Sequence, residues 1–82
     1  MTWTIRDRVS GFGDFGTYDN PNELITDLDM MIERDMKEEH TTREEAGEYY
    51  EVFRSDGENF LVDASKKELR FKNVDTWEYA EL

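Results

Sequence analysis

The stretch NPNELITDLDMMIERDMKEEH, residues 20–40, contains the clearest structural signal in the sequence and decides the fold. Asn20 is a favourable N-cap, and Pro21 suits the first position of a helix because its missing N–H needs no partner there. Glu23 stands at the position that completes a capping box. These three residues predict that a helix begins at Pro21.

The apolar residues that follow predict which side of this helix is buried. At about 100° per residue they share one arc, which consists of Leu24, Ile25, Leu28, Met31, Ile32 and Met36. The pattern predicts a helix from Pro21 to about Lys37 or His40. Because Asp35 and Glu39 lie in the same arc, we expect the helix to leave the core by its last turn.

The remaining periodic segments favour strands. They are residues 2–9, 49–54, 59–63, Leu69–Phe71 and, with a short helix as the alternative, the alternating end around 77–79. Asp56-Gly57 is a strong signal for a two-residue hairpin turn. The polar segment 41–48 suits a short helical turn capped by Thr41 or Thr42. The order β-α-β-β-β, or the same with one more strand, predicts a single domain over residues 1–82. We expect a small two-layer α+β domain, an antiparallel sheet with one amphipathic helix on one face.

Residues 11–16, GFGDFG, match two signatures, since their glycines spell GxGxxG and their last three residues spell DFG. A dinucleotide fold needs the helix directly after the glycines, whereas here it begins after Asn20, and Asp14 would repel phosphate. A kinase needs an HRD loop and a strand lysine, which the sequence lacks. We therefore interpret Ser10 to Asp19 as a strand-to-helix loop, with a short extended piece at Phe15–Tyr18 as an alternative.

Size and composition restrict the setting in which this chain works. It has 82 residues and no cysteine, so disulfides and thiolate metal sites are excluded, and a reducing cytoplasm fits. Its apolar runs of two or three residues are too short to span a membrane, and the N-terminus lacks the features of a secretory signal. We expect a cytoplasmic domain near the lower size limit for a stable core.

The charge is concentrated in one segment. Acids outnumber bases 21 to 10 for a net charge of −11, and residues 14–63 alone hold 16 acids and four bases. Such a charge repels nucleic acids and anionic membranes. We therefore expect a basic protein as the partner, with no direct contact to nucleic acid or membrane. The sequence leaves monomer and homodimer both open.

No catalytic or metal-binding pattern emerges from the sequence. The DxDxxxExD string at residues 27–35 has Ile32 where a calcium loop needs glycine, and it lies on the predicted helix. His40 is the only histidine, which excludes a multi-histidine metal site. The serines lack a recognisable partner for nucleophilic catalysis. A carboxylate pair of the glycosidase kind is an alternative, but so small a domain offers little room for its pocket. We expect no enzyme, no cofactor and no metal.

The acidic helix and its flanks are the candidate partner-binding site. The acids are Asp19, Glu23, Asp27, Asp29, Glu33, Glu38, Glu39, Glu44 and Glu45. Met30 lies among them, opposite the apolar arc, where an adaptable apolar side chain suits a protein contact. Phe12 and Phe15 are apolar anchors if they are exposed, and structural residues if both lie under the helix. A solvated helix face and a halophilic surface are the alternative explanations of the acidity.

A small, cysteine-free, strongly acidic α+β domain without catalytic motifs resembles the phage-encoded inhibitors of bacterial defence, including anti-CRISPR proteins and DNA mimics. The resemblance lies in size, charge and lack of motifs. It implies a non-enzymatic inhibitor whose acidic surface occupies the basic channel of a nucleic-acid-binding protein, such as a CRISPR effector, in the cytoplasm of the host cell. The alternative is an adaptor or immunity-type protein that binds a basic host or toxin partner.

Overall fold

A six-stranded antiparallel sheet with helices on one face forms the fold in the computed structural model, which describes residues 1–9 and 14–82. The elements are β1 (Trp3–Asp7), β2 (Asp14–Tyr18), α1 (Pro21–Glu39), α2 (Arg43–Gly47), β3 (Tyr50–Arg54), β4 (Asn59–Asp63), β5 (Arg70–Asn73) and β6 (Tyr79–Ala80). The strands lie in the order β2-β1-β3-β4-β5-β6. The predicted two-layer α+β domain is confirmed, and so are the short helical turn, as α2 with Thr42 as its cap, and the last strand, as β6. The structure adds a second strand before α1, which is β2.

Helix α1 begins and ends where its capping residues predict. The Asn20 side chain accepts a hydrogen bond from the N–H of Asn22 at 2.8 Å, and Pro21 occupies the first turn. At the other end His40 adopts the left-handed conformation, with φ of 52°, and its N–H bonds to the Met36 carbonyl. Glu23 makes no hydrogen bond back to Asn20 in the described part of the chain, so only half of the predicted capping box forms.

The buried arc of α1 packs on the sheet as predicted. Leu24, Leu28 and Ile32 are completely buried, while Ile25, Met31 and Met36 are half-buried at the edges of the contact. The sheet side of the core consists of Ile5, Tyr50, Val52, Phe60, Val62 and Phe71, joined by Ala46 and Ala64. Apolar side chains from both layers therefore share one core.

The expectation for the end of α1 is wrong at Asp35, which stays in the core, whereas Glu39 in the last turn is exposed as predicted. Asp35 is only 9% exposed, and its carboxylate accepts hydrogen bonds from the Tyr50 hydroxyl and, at 3.3 Å, from the Arg34 guanidinium. A carboxylate that receives such donors can stay at the boundary between helix and sheet. Burial and the bond to Asp35 raise the pKa of Tyr50, which stays a donor at neutral pH.

Residues 14–18 form a strand of the sheet, so the extended piece suggested at Phe15–Tyr18 is confirmed, and the interpretation of this stretch as a loop is wrong there. β2 pairs antiparallel with β1, and the register shifts between Thr4 and Arg6, which marks a bulge. Gly16 has a φ of 111°, a conformation that glycine adopts without strain. The bulge lets Phe15 and Tyr18, three residues apart, both reach the helix side of the sheet. This spacing conceals the period-two signal of a strand. Residues 10–13, including Phe12, lie outside the described residues.

Two turns also differ from their predictions. The β3–β4 hairpin closes with three residues rather than two, because the Arg54 N–H bonds to the Glu58 carbonyl at 2.8 Å and Gly57 follows the turn with φ of 96°. Trp77 does not belong to the last strand. It lies in the β5–β6 turn with a φ of 59°, a backbone conformation that residues other than glycine rarely adopt.

The contact between α2 and the end of β4 yields a prediction for stability. A Cβ added at Gly47 would lie 2.9 Å from the Cβ of Ala64. Overpacking costs about 1–3 kcal/mol. Alanine gains about 1 kcal/mol over glycine in helix propensity, which offsets only part of that cost. We expect Gly47→Ala to lower the free energy of unfolding by about 1 kcal/mol, as measured by urea titration.

The control for this prediction removes the opposing methyl group. Adding Ala64→Gly to the Gly47→Ala variant should restore part of the lost stability, although Ala64→Gly alone destabilises the protein. If the two substitutions were simply additive, the close approach of these two residues would not be the cause.

Candidate partner-binding surface

The helical layer carries most of the excess negative charge. Residues 19–48 hold eleven acids and three bases, so this segment contributes −8 to the total of −11. Because α1 buries one side against the sheet, its other side faces solvent. The acids that the sequence singles out are therefore brought onto one layer of the molecule.

The acids of α1 form two rows rather than one ridge. At about 100° per residue, Asp29 and Glu33 lie on one flank of the helix, and Glu23, Asp27 and Glu38 lie on the other, roughly 120–130° away. We call these the first and second rows. Met30 lies between the rows and is 65% exposed. The prediction that Met30 is an exposed apolar residue among acids is confirmed.

The first row takes part in holding the fold together. The Arg43 guanidinium donates to Asp29 at 2.6 Å and to Glu33 at 3.0 Å, and also to the carbonyls of Lys66 and Lys67 at 3.2 and 2.9 Å. We call this arrangement the Arg43 clamp. It joins α1, α2 and the β4–β5 connection through one planar side chain. Asp29 and Glu33 are thus partly neutralised within the molecule.

The second row is less occupied. Asp27 accepts a hydrogen bond of 2.8 Å from the Tyr18 hydroxyl. Burial, this bond and the charges of Asp27 and Glu23 raise the pKa of Tyr18 to about 12. Within residues 1–9 and 14–82, neither Glu23 nor Glu38 forms an ion pair, and both are exposed. Their full charge is available to a partner.

The acids at the C-terminal end of α1 and outside it also divide into residues that accept hydrogen bonds and residues that do not. The pKa of Tyr49 is raised mainly by the hydrogen bond with Glu39, and desolvation contributes less. Glu45 accepts a hydrogen bond from the Thr41 hydroxyl, and its N–H donates to Thr42, the cap of α2. Glu44 and Asp19 are exposed and form no ion pair with the described residues.

Phe15 lies partly in solvent. It is 45% exposed, and its ring contacts Tyr50 edge-on with 5.9 Å between centroids. Beside it is a hollow of about 370 Å³ whose lining includes the carboxylates of Asp35 and Glu39 and the ring of Tyr49. An apolar group and negative charge thus adjoin at the C-terminal end of α1. Phe12, its predicted companion, lies outside the described residues.

The sequence leaves open a second contact surface beside the acidic helix, the face of the sheet turned away from the helices. We call it the open sheet face; it is marked by Arg6, Glu51, Leu61, Lys72 and Tyr79, which lie opposite one another across β1, β3, β4, β5 and β6. The alternation of Trp77 with Tyr79, and of Arg70 with Lys72, is the signal that could have indicated an aromatic and basic face.

Among residues 1–9 and 14–82, no group of three or more His, Cys, Asp or Glu residues is placed to hold a metal ion. No helix in that part of the chain is both long and apolar enough to cross a membrane. Comparison with protein families, curated proteins and solved structures finds no significant match.

The Arg43 clamp yields a matched pair of substitutions. Arg43→Lys keeps the positive charge but loses the fork that reaches two carboxylates and two carbonyls. We expect it to lower the free energy of unfolding by about 1–2 kcal/mol. Arg8→Lys, at an exposed residue whose guanidinium donates to the Glu48 carbonyl at 3.3 Å, should cost less than about 0.5 kcal/mol. Equal losses in urea titrations of the two variants would contradict the clamp.

The second row predicts a change in the titration of Tyr18. Because its pKa is raised to about 12 from the ordinary 10.0, its bonds stabilise the fold below pH 10 and this contribution disappears as the pH rises through 12. Asp27→Asn should lower the pKa of Tyr18, followed through the ring carbons by NMR and assigned with Tyr18→Phe. Glu33→Gln, in the first row, should leave the pKa of Tyr18 unchanged, and an equal drop would refute the assignment.

Proposed function

We propose that this chain is a non-enzymatic inhibitor that binds a basic, nucleic-acid-binding protein, such as a CRISPR effector, and blocks access of DNA or RNA in the cytoplasm. The binding surface is the acidic outer side of the helical layer. The observation that carries the proposal is the group of exposed acids without an ion pair among the described residues, Glu23, Glu38 and Glu44, on a layer of net charge −8. Unpaired carboxylates steer association with a basic groove.

The spacing of the acids supports mimicry of nucleic acid. Residues four apart on a helix lie about 6 Å apart along its axis, which is close to the separation of neighbouring phosphates along a strand. Glu23 and Asp27 stand at this spacing in the second row, and Asp29 and Glu33 do so in the first. Because Arg43 engages the first row, the second row is the line of charge that α1 offers a basic channel.

The apolar residues near the acids would supply specificity. Met30 lies exposed between the rows, and Phe15 lies beside the hollow at the C-terminal end of α1. Charge raises the rate of encounter and favours any basic groove, whereas apolar anchors distinguish one partner from another.

Charge reversal tests the proposal. The triple variant Glu23→Lys, Glu38→Lys, Glu44→Lys changes the net charge from −11 to −5 on the proposed surface. The matched control, Glu68→Lys, Asp75→Lys, Glu81→Lys, reaches the same net charge on exposed positions outside the helical layer. The measurement is inhibition of labelled DNA or RNA binding by a panel of purified nucleic-acid-guided nucleases, followed by fluorescence anisotropy.

We expect the chain to raise the apparent dissociation constant of the nucleic acid competitively, and to lose affinity steeply with added salt. The surface triple should weaken inhibition by at least about tenfold, and the control triple by less than about threefold. Equal losses would attribute binding to net charge alone. A partner that is not basic and whose binding is independent of salt would overturn the proposal. Binding that leaves nucleic-acid access intact would favour the adaptor alternative.

A further inference from the structure

The open sheet face carries aromatic rings held by cations. Arg70 lies 3.6 Å above the centre of the Tyr79 ring, and Lys72 lies 4.9 Å from the same ring and 5.5 Å from that of Trp77. The Tyr79 hydroxyl donates to Asp63 at 2.7 Å. These contacts fix the orientation of the rings. The rings are therefore ordered although they are exposed to solvent, where they lack the stabilisation that burial would give them.

Trp77 is the most exposed of these rings. It is 64% exposed and has a φ of 59° in the β5–β6 turn. Glycine would adopt this conformation without the steric penalty that a side chain brings. The backbone thus tolerates strain at a residue whose indole is not buried within the molecule, which points to a contact made by the indole outside it.

The charge on this face differs from that of the rest of the molecule. Arg6, Arg70 and Lys72 stand with Glu51 and Asp63, so the charges on this part of the face nearly balance, whereas the helical layer carries −8. Two molecules that meet through their open sheet faces can bring bases opposite acids, because each face carries both. They also keep their acidic layers on the outside, at the greatest distance from each other.

We propose that the open sheet face is a self-association surface on which a second copy of the chain packs about a two-fold axis. In such an isologous contact the same surface is used by both copies, so a residue i that contacts residue j of the second copy is matched by j contacting i. A face that carries both bases and acids can therefore pair with a copy of itself. Face-to-face packing of two sheets is an ordinary way to bury such a surface. This inference does not rest on the proposed function, although Glu44 of the helical layer lines a hollow together with Trp77 and Tyr79.

The size of the face determines the strength expected of the dimer. Six strands spaced about 4.8 Å apart, with five residues in β1 to β4, four in β5 and two in β6, span at most roughly 24 by 17 Å, or about 400 Å² of projected area. A stable dimer buries about 800 Å² on each partner. We therefore expect a reversible dimer with a dissociation constant of roughly 10 µM to 1 mM.

Sedimentation equilibrium over about 5 µM to 2 mM protein, a range set by that affinity, tests the inference. We expect monomers at the low end and dimers at the high end. Trp77→Gly should weaken the dimer by at least about tenfold. Because glycine relieves the φ of 59°, the dilute variant should unfold at a temperature no lower than the unsubstituted protein. Met30→Ala, at an apolar residue equally exposed on the helical layer, should leave the dimer unchanged.

Three outcomes would overturn the inference. The first is a monomer over the whole concentration range. The second is a dimer that Met30→Ala weakens and Trp77→Gly does not, which would place the contact on the helical layer. The third is quenching of Trp77 fluorescence by a single-stranded oligonucleotide, lost in Trp77→Gly, without self-association. That result would assign the aromatic and basic face to nucleic acid instead.

Discussion

The structure depends on the burial of one apolar stripe against one face of the sheet. Leu24, Leu28 and Ile32 are fully buried on Ile5 and the neighbouring strands, and each such side chain stabilises the fold by about 1.5–3 kcal/mol. The helices cover only one face, and the other face has no covering element among the described residues. The two surfaces of the molecule, acidic helices and open sheet face, follow from this constraint.

Polar contacts then separate the acids with a structural role from those available to a partner. The Arg43 clamp engages Asp29 and Glu33, and Tyr50 together with Arg34 holds Asp35 at the helix–sheet boundary. Removing one partner of a buried charged group costs far more than removing an exposed ion pair. The remaining exposed carboxylates make a small contribution to stability, so substitutions there test binding with little effect on the fold.

The proposed inhibitor surface lies on the helical layer and the proposed self-association surface on the open sheet face, and the two are compatible. A dimer joined through the open sheet faces would display two acidic layers pointing outward. A basic partner would then meet the same carboxylates on either copy. Bivalent presentation raises the apparent affinity for a partner with two basic grooves only where the geometry lets both engage.

Local chemistry along the chain determined the caps and the buried arc of α1, the β3–β4 hairpin strands and the concentration of acid in one segment, because neighbours within about four residues decide those features. Only the tertiary structure decided the rest. The bulge at Gly16 concealed β2, Tyr50 kept Asp35 in the core, Arg43 took up the first row, and strand register placed Tyr79 beside Lys72 on the open sheet face. Each of these depends on contacts between residues far apart in sequence, which no local pattern encodes.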